Sequence, residues 1–131
     1  AGLRAGQVSN TFPKMAGAWV PEFIWSMQPW FINFFENPFM VHFLHRWNGF
    51  VVLLLAGLML LQFRKENTTF AMQLGLRMML VLLAAQVFLG ILTVLLQVPV
   101  VLASLHQAFA LLLFVTLLVV LFQTRENSFN R

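Results

Sequence analysis

Two histidines, His45 and His106, stand near the starts of two long apolar segments of this chain. Each is followed directly by a polar residue, as His45-Arg46 and as His106-Gln107. An ionisable side chain inside a hydrocarbon layer is costly, and by default it marks a functional site. Neutral imidazole is also the commonest metal ligand that a protein offers. These two residues are therefore the first candidates for chemistry in the sequence.

The composition places the elements that carry these histidines in a membrane. The 131 residues are 60% hydrophobic and 9% charged, with a mean hydropathy of +0.84, whereas a soluble domain contains roughly 25% charged residues. Cysteine and aspartate are both absent from the sequence, so thiolate metal sites and disulfides are excluded and paired-carboxylate catalysis has few candidates. The net charge of +4 comes without a basic stripe, which argues against nucleic-acid binding.

Three segments are long and apolar enough to cross a bilayer, which takes about 20 residues of helix. They cover residues 41–63, 70–96 and 100–122. Because unpaired backbone groups are costly in lipid, we predict that all three are helices. The short connections at 64–69 and 97–99 make neighbours antiparallel, so the first and third spans enter from the same side. The predicted fold class is an all-α membrane protein, a transmembrane helical bundle with three full spans.

Aromatic and cationic residues predict which end of each span faces which side. One side of the membrane receives five of the eight cationic residues, namely Arg64, Lys65, Arg77, Arg125 and Arg131. This bias predicts that the C-terminal tail is cytoplasmic or in the equivalent compartment. All four tryptophans fall at the other face, so residues 13–40 are interpreted as an outer aromatic loop in the interface. Residues 1–12 are interpreted as the end of a truncated transmembrane helix and its exit turn.

The two histidines are predicted to lie at similar depth. His45 is about one turn into the first span and His106 about two turns into the third, at roughly 1.5 Å per residue. Gly49 shares a helix face with His45, while Ala103 and Ala110 share one with His106. Such small neighbours leave room for a flat group between helices, although they also permit close packing. We therefore predict that the two histidines are axial ligands of one macrocycle, for which heme is the obvious candidate. The alternative is that each imidazole only donates a hydrogen bond to a neighbouring helix.

Other polar residues accompany the pair. His42, one turn before His45 on a similar face, is a third candidate ligand, and the favoured interpretation is an interfacial histidine near the headgroups. Arg46 is a candidate partner for a heme propionate, and the alternative is snorkelling to the outer headgroups. The second span carries a stripe of polar or small residues on one face, which either lines a cofactor pocket or serves helix packing. The members of this stripe are Gln86, Gly90, Thr93 and Gln97.

Several blocks of the sequence, in order, are similar to a known family. The blocks are AGLRAGQVSNTFPKMAGAWVPE, FENPFMVHFLHRWNGF and AQVFLGILTVLLQVPVVLASLHQAFALLLF. Together they resemble the C-terminal half of heme A synthase, over nearly the whole chain. The most specific parts are residues 10–13, His45-Arg46, residues 86–93 and residues 105–107.

The resemblance implies an architecture and a reaction. Members of this family are integral membrane proteins of eight helices, built as two similar four-helix bundles. They are oxidoreductases that convert the C8 methyl of heme O to a formyl group, giving heme A for terminal oxidases. On the family pattern, residues 41–131 form a heme-binding region in which His45 and His106 are the axial iron ligands of a b-type heme (heme b) for electron transfer. The catalytic residues belong to the N-terminal bundle, so we expect this half to be inactive alone.

The resemblance also implies partners and a location. The partners are the N-terminal bundle of the same protein, heme O as substrate and the farnesyltransferase that makes heme O. The location is a bacterial plasma membrane or a mitochondrial inner membrane, with the C-terminus on the cytoplasmic or matrix side. Two alternatives remain open from the residues themselves. One is a bis-histidine membrane cytochrome that passes electrons from quinol to a partner, and the other is an assembly subunit without a cofactor.

Overall fold

The computed structural model describes residues 3–63 and 69–129, with side chains described as far as Arg125. Over these residues every regular element is helical, as predicted, and an isolated bridge joins Met15 and Ala18. Three short 3₁₀-helices come first, at Ala5–Gln7, Glu22–Trp25 and Trp30–Ile32. Four α-helices follow the third of these along the chain: α1 (Asn33–Glu36), α2 (Pro38–Phe63), α3 (Phe70–Leu95) and α4 (Val100–Phe129).

The helices α2, α3 and α4 are each long and apolar enough to cross a membrane, which confirms the three predicted spans. Helix α2 begins three residues before the predicted start at 41, because the chain places a cap and a proline there. The Asn37 Oδ1 accepts the backbone N–H groups of Phe39 at 2.9 Å and Met40 at 3.4 Å. Pro38 occupies the first helical position, where a missing N–H costs nothing.

The C-terminal helix is also longer than predicted. Helix α4 continues beyond residue 122 to Phe129. Residues 123–129 contain neither glycine nor proline, so no residue type in this stretch stops the helix. The predicted connection at 64–69 lies almost entirely outside the described residues, apart from Thr69, whose hydroxyl accepts the Met72 N–H at 3.3 Å and caps α3.

Helices α3 and α4 form the most extensive helix pair, and α2 contacts α3 more lightly. A tight turn joins α3 to α4, with Gln97 and Val98 at φ values of 60° and 61°. Towards the other end of this helical hairpin, Val120 of α4 is fully buried within a cluster of α3 residues. Gly75 allows this approach, because a Cβ there would lie 2.9 Å from Val120 Cγ2. The hairpin is therefore the part of the bundle with the firmest packing.

The N-terminal segment packs on the helix ends at the same side as the α3–α4 turn. The 3₁₀-helix Ala5–Gln7 contacts α2 and α3. Gly6 lies against the turn itself, since a Cβ there would be 3.0 Å from Val98 Cγ2. The interpretation of residues 1–12 as the end of a preceding span stays a prediction.

Two buried asparagines organise the aromatic loop before α2. Asn33 is 0% exposed, and its carboxamide pairs with both the N–H and the C=O of Met27 at 3.0 and 2.8 Å. Asn37 is 1% exposed and donates to the Phe23 carbonyl at 2.8 Å and to Asn33 Oδ1 at 2.9 Å. The tryptophans of this loop are exposed and surround the two hydrogen-bonded asparagines. This arrangement suits a loop whose rings face a membrane interface.

Candidate functional site

The fold brings His45 of α2 and His106 of α4 together. Their ring centroids lie 6.1 Å apart and the ring planes are inclined at 82°. Two imidazoles on opposite sides of one metal ion have centroids roughly 6 Å apart, because the metal–nitrogen bond is about 2.0 Å and each centroid lies about 1.1 Å behind its nitrogen. The observed centroid separation is compatible with a shared ion, and an edge contact between two rings has a similar spacing. The described residues contain no cluster of three or more metal-ligating side chains, but heme iron needs only axial ligands from the protein.

The orientation of His106 leaves one nitrogen for a ligand. Its Nδ1 lies 3.1 Å from the backbone carbonyl of Gln86 on α3. A carbonyl only accepts, so Nδ1 carries the hydrogen and Nε2 presents its lone pair. Metal-ligating histidines are commonly oriented in this way. The hydrogen bond to a neighbouring helix, predicted as the alternative to a ligand role, thus occupies Nδ1, while Nε2 lies 3.4 Å from the side-chain nitrogen of Gln86.

Gly90 makes the approach of His106 to α3 possible. A Cβ built on Gly90 would stand 2.9 Å from His106 Cε1 and 3.5 Å from Nδ1. A distance below 3.0 Å would force the ring or the backbone to move. The glycine one turn after Gln86 therefore forms a notch in α3 that holds the imidazole.

The predicted stripe on the second span divides between two roles. Gln86 and Gly90 both face His106. Thr93 is buried and its hydroxyl donates back along its own helix to the Leu89 carbonyl at 2.7 Å. Gln97 is exposed in the turn. Half of the stripe thus belongs to the site, and the other half serves the helix and its end.

His45 is held less tightly than His106. It is exposed on α2, and within the described part of the chain it makes no hydrogen bond. Gly49 lies one turn further along α2, and among the described residues no atom beyond its own stretch of helix lies within 4 Å of the position of a Cβ there. The space beside His45 is therefore unobstructed, because Gly49 has no side chain to fill it. A flat group between helices needs such a space.

Arg46 is turned towards the N-terminal segment. Its Nε–H donates to His42 Nε2 at 3.0 Å, and its terminal N–H groups donate to the carbonyls of Lys14 at 3.4 Å and Ser9 at 3.3 Å. Arginine has five N–H groups, so others remain for a further acceptor. Pairing with a heme propionate stays a prediction.

The His42 side chain lies in the protein interior, where it is only 2% exposed, and its interpretation as an interfacial histidine near the headgroups stays a prediction. It accepts from Arg46, so its hydrogen is on Nδ1, which is buried and unpartnered among the described residues. The four-residue spacing of His42 and Arg46 on one helix face was the signal available in the sequence. Their shared link to Ser9 and Lys14 was not available from spacing.

Fold and site together define a class: a multi-pass helical membrane protein with a histidine pair contributed by two spanning helices. A family model described as Cytochrome oxidase assembly protein (COX15-CtaA) matches residues 1–118. The chain belongs to this family.

Three similar curated relatives are all named heme A synthase. The relative from Nitrosospira multiformis is 41% identical over 97% of this chain and 36% of its own length. The one from Wolbachia pipientis subsp. Culex pipiens is 40% identical over 87% of this chain and 32% of its own. The one from Rhizobium rhizogenes is 44% identical over 87% of this chain and 31% of its own. The chain thus spans about a third of the length of these relatives. No solved structure matches it.

Proposed function

We propose that this chain is the heme b-binding, C-terminal half of a heme A synthase, the oxidoreductase that converts the C8 methyl of heme O to a formyl group. The observation that carries the proposal is the His45–His106 pair, with ring centroids 6.1 Å apart and His106 Nδ1 committed to the Gln86 carbonyl. The shared name of the relatives supports the reaction.

The residues around the pair have separate tasks in this proposal. His106 presents Nε2 in a fixed direction, because the Gln86 carbonyl holds its tautomer and Gly90 gives it room. His45 contributes the second imidazole from α2. A heme with two axial histidines supplies one-electron transfer when bound. Arg46 adds a positive charge directly after His45, and its N–H groups not used by His42, Ser9 and Lys14 are the candidate partners of a propionate.

The rest of the reaction is assigned to other parts and partners. The N-terminal bundle of the same protein would hold heme O and the catalytic residues, so this half alone would not produce heme A. The farnesyltransferase that makes heme O is the proposed supplier of the substrate. The three apolar helices suit a bacterial plasma membrane or a mitochondrial inner membrane. The bias of cationic residues supports a C-terminus on the cytoplasmic or matrix side.

Heme reconstitution with histidine variants tests the proposal. The chain in lipid nanodiscs, titrated with heme b and reduced, is expected to give a low-spin bis-histidine spectrum. His45→Ala and His106→Ala are each expected to abolish that spectrum. His42→Gln is the matched control, since His42 is bonded to Arg46 rather than paired with another imidazole, and it should retain the spectrum. Unchanged spectra in both alanine variants would show that the pair does not bind the iron.

A second measurement separates the synthase from a bis-histidine cytochrome, which would share the same pair. The full-length protein is supplied with heme O, and the pigment is extracted and analysed for the formyl product. Formation of heme A supports the synthase. A heme b spectrum without conversion of heme O would favour the cytochrome.

A further inference from the structure

Gln86 contacts both ring nitrogens of His106. Its backbone carbonyl accepts from Nδ1 at 3.1 Å. The nitrogen of its side-chain carboxamide, Nε2, lies 3.4 Å from His106 Nε2. Gln86 therefore contacts the His106 imidazole at both ring nitrogens, the two atoms that can form a hydrogen bond.

The contact at His106 Nε2 uses the atom that a metal ligand needs. With the hydrogen on Nδ1, Nε2 has a single lone pair in the ring plane. The carboxamide N–H can bond only to that lone pair, and a metal ion would bind through the same one. The two interactions therefore exclude each other.

The tautomer of His106 determines the orientation of the Gln86 carboxamide. Gln86 Oε1 is buried and has no hydrogen-bond partner among the described residues. If the carboxamide were rotated by half a turn, Oε1 would face a nitrogen that carries no hydrogen, and two acceptors would then oppose each other. The N–H group is thus the end that suits His106, even though the oxygen stays unpaired.

The hydrogen bond is long enough to be readily exchanged. Most N–H donors lie about 2.9–3.0 Å from their acceptors, and the Gln86–His106 side-chain contact of 3.4 Å is well beyond that. The Gln86 carbonyl contact to Nδ1 at 3.1 Å is closer to the usual range. The ring can therefore stay in place through Nδ1 while the carboxamide leaves Nε2.

We propose that the Gln86 carboxamide is a displaceable cap on His106 Nε2, which competes with heme iron for that nitrogen and so limits heme affinity. The inference rests on the proposed function. Gln86 would then be a positioning residue with two opposite effects. Its backbone carbonyl holds His106 in the orientation that a metal ligand needs, whereas its side chain competes with the metal for Nε2.

The test is heme affinity in the variant Gln86→Leu, which keeps the side-chain volume but removes the donor. The chain in nanodiscs is titrated with heme b, and the apparent Kd is read from the Soret band. A typical hydrogen bond is worth a factor of about two to ten in an equilibrium constant, so the variant should bind heme about two- to tenfold more tightly. Its low-spin spectrum should match that of the wild type, because both axial histidines are retained.

Two further variants keep the result interpretable. Gln123→Leu is the matched control, because Gln123 also has a buried, unpartnered Oε1, but it lies near Gly75 rather than near the histidine pair. Its heme affinity should equal that of the wild type. Gln86→Met is a second donor-free variant with a more adaptable side chain, and it serves if the leucine variant does not fold.

The outcomes separate this inference from the proposed function. If Gln86→Leu, or Gln86→Met in its place, binds heme as weakly as the wild type or more weakly, the side chain is not a competing cap and the inference is overturned alone. A wild-type chain with no spectrum that depends on His45 and His106 would overturn the proposed function and the inference together. Tighter binding in both Gln86 variants and an unchanged Gln123→Leu would support the cap.

Discussion

The His106 imidazole lies in a notch of α3 that exists only because residue 90 is glycine: a Cβ on Gly90 would be 2.9 Å from His106 Cε1. The residues directly before and after it in α3, Leu89 and Ile91, both carry large side chains. The position of the ring between Gln86 and Gly90 is therefore a property of the α3–α4 interface and not of α4 alone.

The first prediction follows from this notch. Gly90→Ala should displace His106 and weaken heme binding, since overpacking a tight site costs about 1–3 kcal/mol, which is about five- to 150-fold in affinity. The measurement is the apparent Kd from a heme b titration monitored at the Soret band. Gly57→Ala on α2 is the matched control, because no atom of the described residues outside the adjoining turns of α2 lies within 4 Å of a Cβ at Gly57. Equal heme affinity in Gly90→Ala and Gly57→Ala would show that the close approach is not needed.

The second prediction concerns the pair of His42 and Arg46. Arg46→Met removes the donor to His42 Nε2 and leaves a buried nitrogen unpaired, which costs about 1–3 kcal/mol in the free energy of unfolding. It also removes the links to the carbonyls of Ser9 and Lys14. We therefore expect lower stability in chemical denaturation and faster trypsin cleavage after Lys14. Cleavage after Arg125 provides an internal control, because Arg125 lies near the end of α4.

A double variant sharpens this test. His42→Leu combined with Arg46→Met removes both partners, and replacement of both partners of a hydrogen bond is far less costly than the loss of one. The double variant should thus be more stable than Arg46→Met alone. The single variant His42→Leu completes the comparison. If the losses in the free energy of unfolding of the two single variants simply added up in the double variant, His42 and Arg46 would not be a bonded pair.

The third prediction concerns Asn37, which both caps α2 and ties the aromatic loop together. Asn37→Asp keeps the capping oxygen but loses the donor to the Phe23 carbonyl and to Asn33 Oδ1. These buried acceptors then face a carboxylate, so we expect a loss of at least about 1–3 kcal/mol in the free energy of unfolding. Tryptophan emission follows the change, because Trp25 and Trp30 lie in the same loop.

The matched control for this substitution is Asn10→Asp, because Asn10 is exposed in the N-terminal segment. It introduces the same charge without removing a buried donor and should leave stability unchanged. Wild-type stability in Asn37→Asp would mean that the cap alone accounts for the role of Asn37.

Much of the site was predictable because hydropathy and helix geometry act locally. The apolar runs predicted the three spans, and the short connections predicted that His45 and His106 enter from the same side. The Gln86–Gly90 spacing placed two of the residues that contact His106 on one face of the second span. The start of α2 at Pro38 was less visible, because it depends on a capping oxygen that a hydropathy window does not detect.

Other relationships depended on which helix faces meet. The burial of His42 comes from the packing of the N-terminal segment, and the links from Arg46 end on backbone carbonyls of Ser9 and Lys14. Every residue has such a carbonyl, so residue types carry no signal for these contacts. For the same reason, the contact between the Gln86 carbonyl and His106 could not be predicted from the sequence.

By itself, the sequence determined the membrane class, the three spans and the histidine pair, because the length and polarity of each segment decide whether it crosses a bilayer. Only the tertiary structure decided that His106 is held through Nδ1 by α3, that Gln86 contacts its other nitrogen, and that His45 is left without such support. The rotation of one helix about its axis relative to the next is set by the packing of their facing side chains. Periodicity within a single helix defines a face, but it does not specify the atoms that this face meets.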